Sequence, residues 1–390
     1  MNSQPTMPTA LVQRIHDSDI MAVVSVAGAG TAAISWLLGV AGASRTVLEI
    51  LVPYASSSLT EFVGREPQQF VSEDTSVAMA KSAYRRALHL REGGAPVVGI
   101  ACTATIATDR TKRGDHRCHI AAWSASGVAT YNLTFVKGIR DRAGEDAVAS
   151  MLVLRALSCA AGFPFDKDLY LDAEECVESN GVQYADPIDA LMAGHIGKAV
   201  VHPDGSMRAD EPFHGGILSG SFNPLHEGHA AMVKTASDML GKPVVYELSV
   251  ANADKPPLEE GEVRRRVAQF TGAAPIVLTG VPVFYKKAEL LLGCTFIIGV
   301  DTAVRLFDKK YYSNSETDML LALQQIREHD CDFLVAGRVE GDTFRTLADV
   351  RIPDGFEPMF TAIPESAFRS DISSTEIRAD GVSGSRNVSA

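Results

Sequence analysis

Two imidazoles, His226 and His229, stand three residues apart in the run Gly220-Ser221-Phe222-Asn223-Pro224-Leu225-His226-Glu227-Gly228-His229. The apolar stretch Gly216–Ser219 reads as a short strand, so Gly220, Ser221, Phe222 and Asn223 form the turn after it and expose backbone N–H groups. Gly228 and His229 then open a helical pattern, and a helix N-terminus favours anions. Such a turn is a phosphate cradle. The two histidines project beside it, where they can donate hydrogen bonds to a triphosphate as charge builds on it. Chemistry of this kind needs no nucleophile from the protein. A phosphate of the acceptor attacks the α-phosphorus, pyrophosphate leaves, and the chain supplies positioning and electrostatics.

The elements around this turn have to hold it in place. From His214 onward strand and helix patterns alternate: strand Gly216–Ser219, helix Gly228–Leu240, strand Val244–Val250, helix Glu262–Phe270 and strand Ile276–Leu278. The helix Lys287–Leu291, the strands Thr295–Gly299 and Asp332–Ala336 and a closing segment Ile372–Arg378 follow. Repeated β-α-β units predict a Rossmann-like, doubly wound parallel sheet with ligands at the carboxyl ends of its strands. Upstream, the strand patterns Met21–Val26, Thr46–Leu51, Val97–Thr103 and His119–Trp123 alternate with helical runs, notably Thr75–Leu90 and Asp146–Ala161. They predict an N-terminal α/β layered domain over residues 10–165. The stretch 166–212 is acidic and carries turn signals such as Asp186-Pro187 and Pro203-Asp204-Gly205, so it reads as a linker, with the second domain at 213–390.

Length and composition set the frame. A chain of 390 residues with 46% hydrophobic and 22% charged residues fits two globular domains with real cores. With 36 Lys and Arg against 48 Asp and Glu, a net charge of −12 repels polyanions and argues against nucleic acid as a partner. The six cysteines are far apart without zinc spacing, which implies reduced, mostly buried thiols in the cytoplasm. The uncharged stretch Ile20–Ala43 is long enough for a membrane span. Gly28, Gly30, Gly39 and Gly42 divide it into a strand, a turn and a helix, so no membrane segment is expected.

The run GSFNPLHEGH resembles the HxGH signature of the adenylyl and cytidylyltransferase superfamily. Ile372-Ser373-Ser374-Thr375-Glu376-Ile377-Arg378 resembles its second signature, in the form typical of nicotinamide and nicotinate mononucleotide adenylyltransferases. The resemblance implies His226, His229 and Arg378 as catalytic residues, with Ser373, Ser374 and Thr375 on the nucleotide phosphates. Ile298-Gly299-Val300-Asp301-Thr302 resembles the family's G-x-D segment, which would set Gly299 and Asp301 at the nucleotide ribose or its magnesium. Lys255 sits where these enzymes carry a lysine near the acceptor phosphate, and it reads equally well as a solvated loop lysine. Arg338 is a further phosphate candidate on the same terms. Arg264, Arg265 and Arg266 read as a mostly solvated helix face with room for one turned inward. Phe284 is a candidate to stack on an acceptor ring, although an aromatic there is more often core.

Residues from about Leu11 to Gly162 weakly resemble the nicotinamide-nucleotide amidase family, the C-terminal domain of competence-damage-inducible proteins (CinA). The likeness rests on Ala41-Gly42-Ala43-Ser44, Val52-Pro53-Tyr54, Val71-Ser72-Glu73 and Gly99-Ile100. An ungapped alignment on Ala41-Gly42 puts Ala27 at the family's catalytic serine and Leu59 at its lysine, while Tyr54 keeps the tyrosine. Without nucleophile and base, acyl chemistry has no starting point, so this domain is expected to be inactive.

For the whole chain the resemblance implies adenylyl transfer from ATP, with Mg2+, to nicotinamide or nicotinate mononucleotide in NAD biosynthesis. Pantetheine phosphate as acceptor and cytidylyl transfer are the alternatives within the class. A regulatory protein that binds nucleotide without turnover is the alternative outside it. No dedicated metal site is expected, because magnesium arrives on substrate phosphates with one or two carboxylates. A homo-oligomer through the N-terminal domain is left open.

Overall fold

The structure, a computed structural model, describes residues 6–110, 113–252, 256–340 and 343–369. The chain divides into two compact units, Met1–Ala185 and Asp186–Ala390.

The first unit runs α1 (Thr9–His16), β1 (Met21–Ala27), α2 (Thr31–Gly39), α3 (Ala43–Thr46), β2 (Val47–Leu51), α4 (Ser56–Val63), α5 (Glu73–Leu90), β3 (Val97–Thr105), β4 (His116–Ser124), β5 (Gly127–Phe135), α6 (Arg142–Ala160) and β6 (Glu178–Gln183). Its six-stranded sheet has the order β2-β1-β3-β4-β5-β6, with β2, β1 and β3 parallel and the rest antiparallel. The central strand β1 is apolar almost throughout because both its faces are covered. Ala22, Val24 and Val26 pack with α1, α2 and α6, and Val23 and Ala27 pack with α4 and α5. Helix α5 lies directly on β3: a Cβ at Gly99 would sit 2.1 Å from the Ala80 carbonyl oxygen, so glycine permits the approach. The stretch Ile20–Ala43 is strand, turn and helix as expected, and no helix among the described residues is long and apolar enough to cross a membrane. Cys102 and Cys118 are buried in this unit, whereas Cys159 and Cys176 are exposed.

The second unit opens earlier than the sequence suggested. It contains α7 (Pro187–Met192), β7 (Lys198–Val201), β8 (Met207–Ala209), β9 (Gly216–Ser219), α8 (Glu227–Leu240), β10 (Val244–Ser249), α9 (Glu260–Val267), β11 (Ile276–Thr279) and α10 (Phe284–Leu290). Then come β12 (Thr295–Gly299), α11 (Val300–Leu306), α12 (Glu316–Glu328), β13 (Asp332–Ala336), the ribbon β14 (Arg338–Glu340) and β15 (Thr343–Arg345), and β16 (Phe360–Ile363). Its eight-stranded sheet has the order β16-β13-β12-β9-β10-β11-β7-β8. The six strands from β16 to β11 are parallel, while β7 and β8 extend the edge antiparallel. The α/β class and the doubly wound parallel sheet are therefore present, with an antiparallel edge that the sequence did not disclose. Residues 166–212, read as a linker, are instead shared between the units: β6 closes the first sheet, and α7, β7 and β8 belong to the second. The acidic turn signals there are caps and hairpin turns. Asp186, for example, caps α7 by accepting from the N–H groups of Ile188 and Asp189.

Candidate active site

Strand β9 lies at the centre of the second sheet, and the chain winds away from it both ways, through β10 and β11 on one side and β12, β13 and β16 on the other. At such a switch point the loops leaving the carboxyl ends of neighbouring strands diverge and open a crevice. The loop after β9 is Gly220–Pro224, and the loop after β12 is Gly299 leading into α11, so the HxGH-like run and the G-x-D segment flank one crevice.

The loop is held from beneath and behind. Phe222 has φ +43, an unfavourable left-handed conformation for an aromatic residue, and is fully buried. Its ring makes edge contacts with His229, Tyr246 and Phe270 at centroid distances of 5.1, 5.4 and 5.4 Å, and that packing over-determines the backbone. Gly220 lies over the same ring, where a Cβ would come 2.7 Å from Phe222 Cζ. Phe222 was expected among the nucleotide-binding residues. Its side chain anchors the loop and can present no ring to a nucleotide, because every face is already covered. From α9 and the turn after it, Arg266 Nη1 donates to the Ser221 carbonyl (2.9 Å) and Gln269 Nε2 to the Phe222 carbonyl (2.9 Å). Arg265 Nη2 donates to Asn223 Oδ1 (2.8 Å), and the Leu225 N–H donates to Gln269 Oε1 (2.9 Å). The arginines of α9 are thus more than a solvated face. Arg266 is turned inward to the crevice, Arg265 orients Asn223, and Arg264 joins Asp186, Asp189 and Glu260.

His226 is the N-cap of α8 and His229 lies in its first turn, their rings stacked at 3.8 Å. The His226 backbone N–H donates to His229 Nδ1 (3.3 Å), so in neutral His229 the ring proton lies on Nε2 and is free to donate onward. Burial, and then the neighbouring His226, pull the His229 pKa down to about 3; burial lowers that of His226 as well. The helix dipole acts the same way, since an N-terminus disfavours a cation. Both rings are therefore neutral donors near pH 7 rather than imidazolium ions. A depressed folded-state value means that stability is full above about 6.5 and is lost as pH falls toward 3, because the unfolded chain takes up the proton first. Denaturant titrations from pH 7 to pH 4 should show stability falling with a slope of up to about 1.4 kcal/mol per pH unit per proton. His229→Gln should remove up to one proton's worth of that slope. A slope indifferent to the substitution would show that His229 titrates normally.

Beside the loop is a cavity of about 420 Å³, bounded by Ser219, Gly220, Ser221, Ser249, Asn252, Arg266, Arg305 and the aromatic rings of Phe284, Tyr311 and Tyr312. At it lies a charged pair that the sequence reading missed. Lys287 Nζ of α10 meets Glu247 Oε2 of β10 at 2.7 Å, with side-chain exposures of 6% and 0%, and Thr279 Oγ1 donates to Glu247 Oε1 at 2.5 Å. The available signal was a glutamate inside Val244-Val245-Tyr246-Glu247-Leu248, a strand apolar on both sides. A carboxylate buried at such a place needs a cationic partner.

Of the other expected residues, Gly228 is buried in the first turn of α8, and Gly299 caps α11. Asp301 and Arg338 are brought together, with Nη1 to Oδ2 at 2.5 Å and both side chains about half exposed. Phe284 borders the cavity but packs edge-on against Phe296 and Phe333 at 5.2 and 5.5 Å, so much of its ring belongs to the core. Lys255, Ser373, Ser374, Thr375 and Arg378 lie outside the described residues.

In the first unit, Ala27 and Leu59, aligned with the amidase serine and lysine, are buried in one apolar cluster with Met79 and Tyr84. Tyr54 is 72% exposed. Ser25 Oγ, the other hydroxyl near this position, is buried without a hydrogen-bond partner among the described residues. At the N-terminus of α2 the Asp146 carboxylate accepts from the backbone N–H groups of Thr31 and Ala32, both at 3.0 Å, and from Thr31 Oγ1 at 2.9 Å.

Solved structures similar to the N-terminal half are competence/damage-inducible proteins. One is CihA from Agrobacterium tumefaciens, at 19% identity and TM-score 0.31, the match covering 41% of this chain and 96% of that one. A second is a competence-damaged protein (CinA) superfamily protein from Escherichia coli, at 16% identity and TM-score 0.31, covering 40% of this chain and 94% of that one. A third, from Enterobacter asburiae, is 13% identical at TM-score 0.31, covering 40% and 98%. No curated protein matches the chain. The family model described as cytidylyltransferase-like matches residues 217–380, a span that begins in β9 and takes in the whole loop, so the C-terminal unit contains a cytidylyltransferase-like domain of the HxGH nucleotidyltransferase superfamily.

Proposed function

We propose that the C-terminal unit transfers an adenylyl group from ATP to the phosphate of nicotinamide or nicotinate mononucleotide, releasing pyrophosphate. The observation that carries this reading is the stacked, neutral pair His226 and His229 at the start of α8, beside a loop braced by Arg265, Arg266 and Gln269 at the sheet's switch point. In the reaction the acceptor phosphate oxygen forms the new bond to the α-phosphorus as the bond to the β-phosphate bridging oxygen breaks. The Nε2–H of His229 donates to the phosphoryl oxygen that gains charge, and the N-terminus of α8 orients the phosphates. Among the described residues no three His, Cys, Asp or Glu side chains could hold a metal together, but Asp301 offers a single carboxylate at the carboxyl end of β12. That donor set fits magnesium carried on the triphosphate, where it would neutralise the leaving pyrophosphate.

The test is pyrophosphate release from the full chain with ATP or CTP and each mononucleotide, with and without chelator. ATP-dependent release that chelator abolishes is the expected result. Release with CTP alone would reassign the transferred group, and nucleotide binding without release would make the protein a sensor. The same preparation should liberate no ammonia from nicotinamide mononucleotide, because Ala27 and Leu59 give the first unit neither nucleophile nor base. Ammonia that survives Ser25→Ala would overturn that assignment.

A further inference from the structure

The reaction proposed above uses the acceptor's phosphate and says nothing of how the rest of the acceptor is recognised. The cavity beside the loop holds the relevant chemistry. Glu247 and Lys287 are both more than nine-tenths buried, and each lines the cavity. Their charges cancel, and Thr279 satisfies the second carboxylate oxygen. An ammonium has three N–H donors, and Lys287 commits one to Glu247. Among the described residues its ammonium has no second hydrogen-bond acceptor; its other neighbour is the Phe284 ring, 5.1 Å away. A buried donor left over in this way awaits an acceptor from a ligand.

We infer that this pair reads the substituent on the acceptor's ring and selects a neutral carboxamide over a carboxylate, an inference that rests on the transfer reaction proposed above. A carboxamide oxygen takes the spare N–H of Lys287 and leaves the local charge at zero. A carboxylate at the same place would meet a lysine already neutralised by Glu247, giving two negative groups for one positive beside a buried pair, where like charges repel more than in bulk water. Arg305, which also lines the cavity, suits the acceptor's phosphate instead. Nicotinamide mononucleotide and nicotinate mononucleotide differ in this one substituent, so they isolate the effect.

Calorimetric titration of the full chain with each compound tests the inference. The wild type should bind the carboxamide at least about tenfold more tightly than the carboxylate. Glu247→Gln leaves Lys287 uncompensated and should narrow or invert that ratio. Equal affinities, tighter binding of the carboxylate, or binding of neither compound would overturn the inference. A wild-type ratio at or below one overturns the inference even if the variant fails to fold. Pyrophosphate release measured in parallel keeps the two readings apart: a bound carboxamide that is not turned over refutes the reaction, and turnover that favours the carboxylate refutes the selectivity.

Discussion

His229→Ala should lower kcat by about 10²–10³-fold while leaving the affinity for ATP nearly unchanged. The expectation comes from where charge develops. In the proposed transfer the acceptor phosphate's attack gathers negative charge on the α-phosphoryl oxygens and the leaving pyrophosphate, so a fixed donor would gain strength in the transition state relative to the ground state. His229 is fixed twice over, by the His226 N–H on Nδ1 and by the Phe222 ring edge. It needs no reorientation when the charge appears. Neutrality matters too: a ring whose pKa is pulled to about 3 stays in one protonation state, so His229 should impose no ionisation on kcat between pH 5 and 9. Arg378→Ala should behave differently: the sequence resemblance implies a guanidinium on the β- and γ-phosphates, which would bind in the ground state, so its loss should raise KM for ATP. Steady-state kinetics of both variants, with melting curves to confirm folding, check the pair. A His229→Ala enzyme keeping more than about a third of wild-type kcat would remove the loop from the catalytic machinery.

Lys287→Met should destabilise the C-terminal unit by about 3–5 kcal/mol at pH 7, a large share of the stability of a typical domain. The lost attraction is the smaller part. Glu247 would be left with no exposed surface and only the Thr279 hydroxyl beside it. Removing both charges reverses most of the damage, because the buried pair owes much of its worth to mutual compensation. The double variant Glu247→Gln, Lys287→Met should therefore lie closer to wild type than Lys287→Met alone. Guanidinium titrations of the three proteins give the coupling directly, and additive losses would show that the two side chains act independently.

How much of this was legible beforehand depended on whether a feature was contiguous in the chain. The turn Gly220–Asn223 and the two histidines are specified within one short run, so their strand, turn and helix could be read together. The strands β9, β10 and β12 announced themselves as apolar runs between helices. Glu247 and Lys287 did not, being forty residues apart, each unremarkable in its own segment, and paired only once α10 lies over β10. The hydrogen-bonded brace on the loop was hidden for the same reason: Arg265, Arg266 and Gln269 look like one polar helix face until their partners Ser221, Phe222 and Asn223 are in place. Strands β6 and β8 escaped because they are short edge elements, and every residue of β6 is exposed, so no apolar alternation marks it; β7, buried between β11 and β8, escaped because it is only four residues long. For Phe222 the run disclosed a place on the loop backbone but not the ring buried underneath it.

The Glu247–Lys287 pair also bears on the order in which the sheet can assemble. Strand β10 cannot dehydrate its central carboxylate until a cation arrives, since an unpaired charge in an apolar interior costs several kcal/mol or more. That cation lies on α10, beyond α9 and β11 in the chain. A pairing of β9 with β10 alone would keep Glu247 wet and remain open to exchange. The β9–β10–β11 half of the sheet thus becomes dry only in one concerted event with the docking of α10, so this half is a single cooperative folding unit. Its backbone amides should share one hydrogen-exchange opening energy rather than form a gradient from strand to strand.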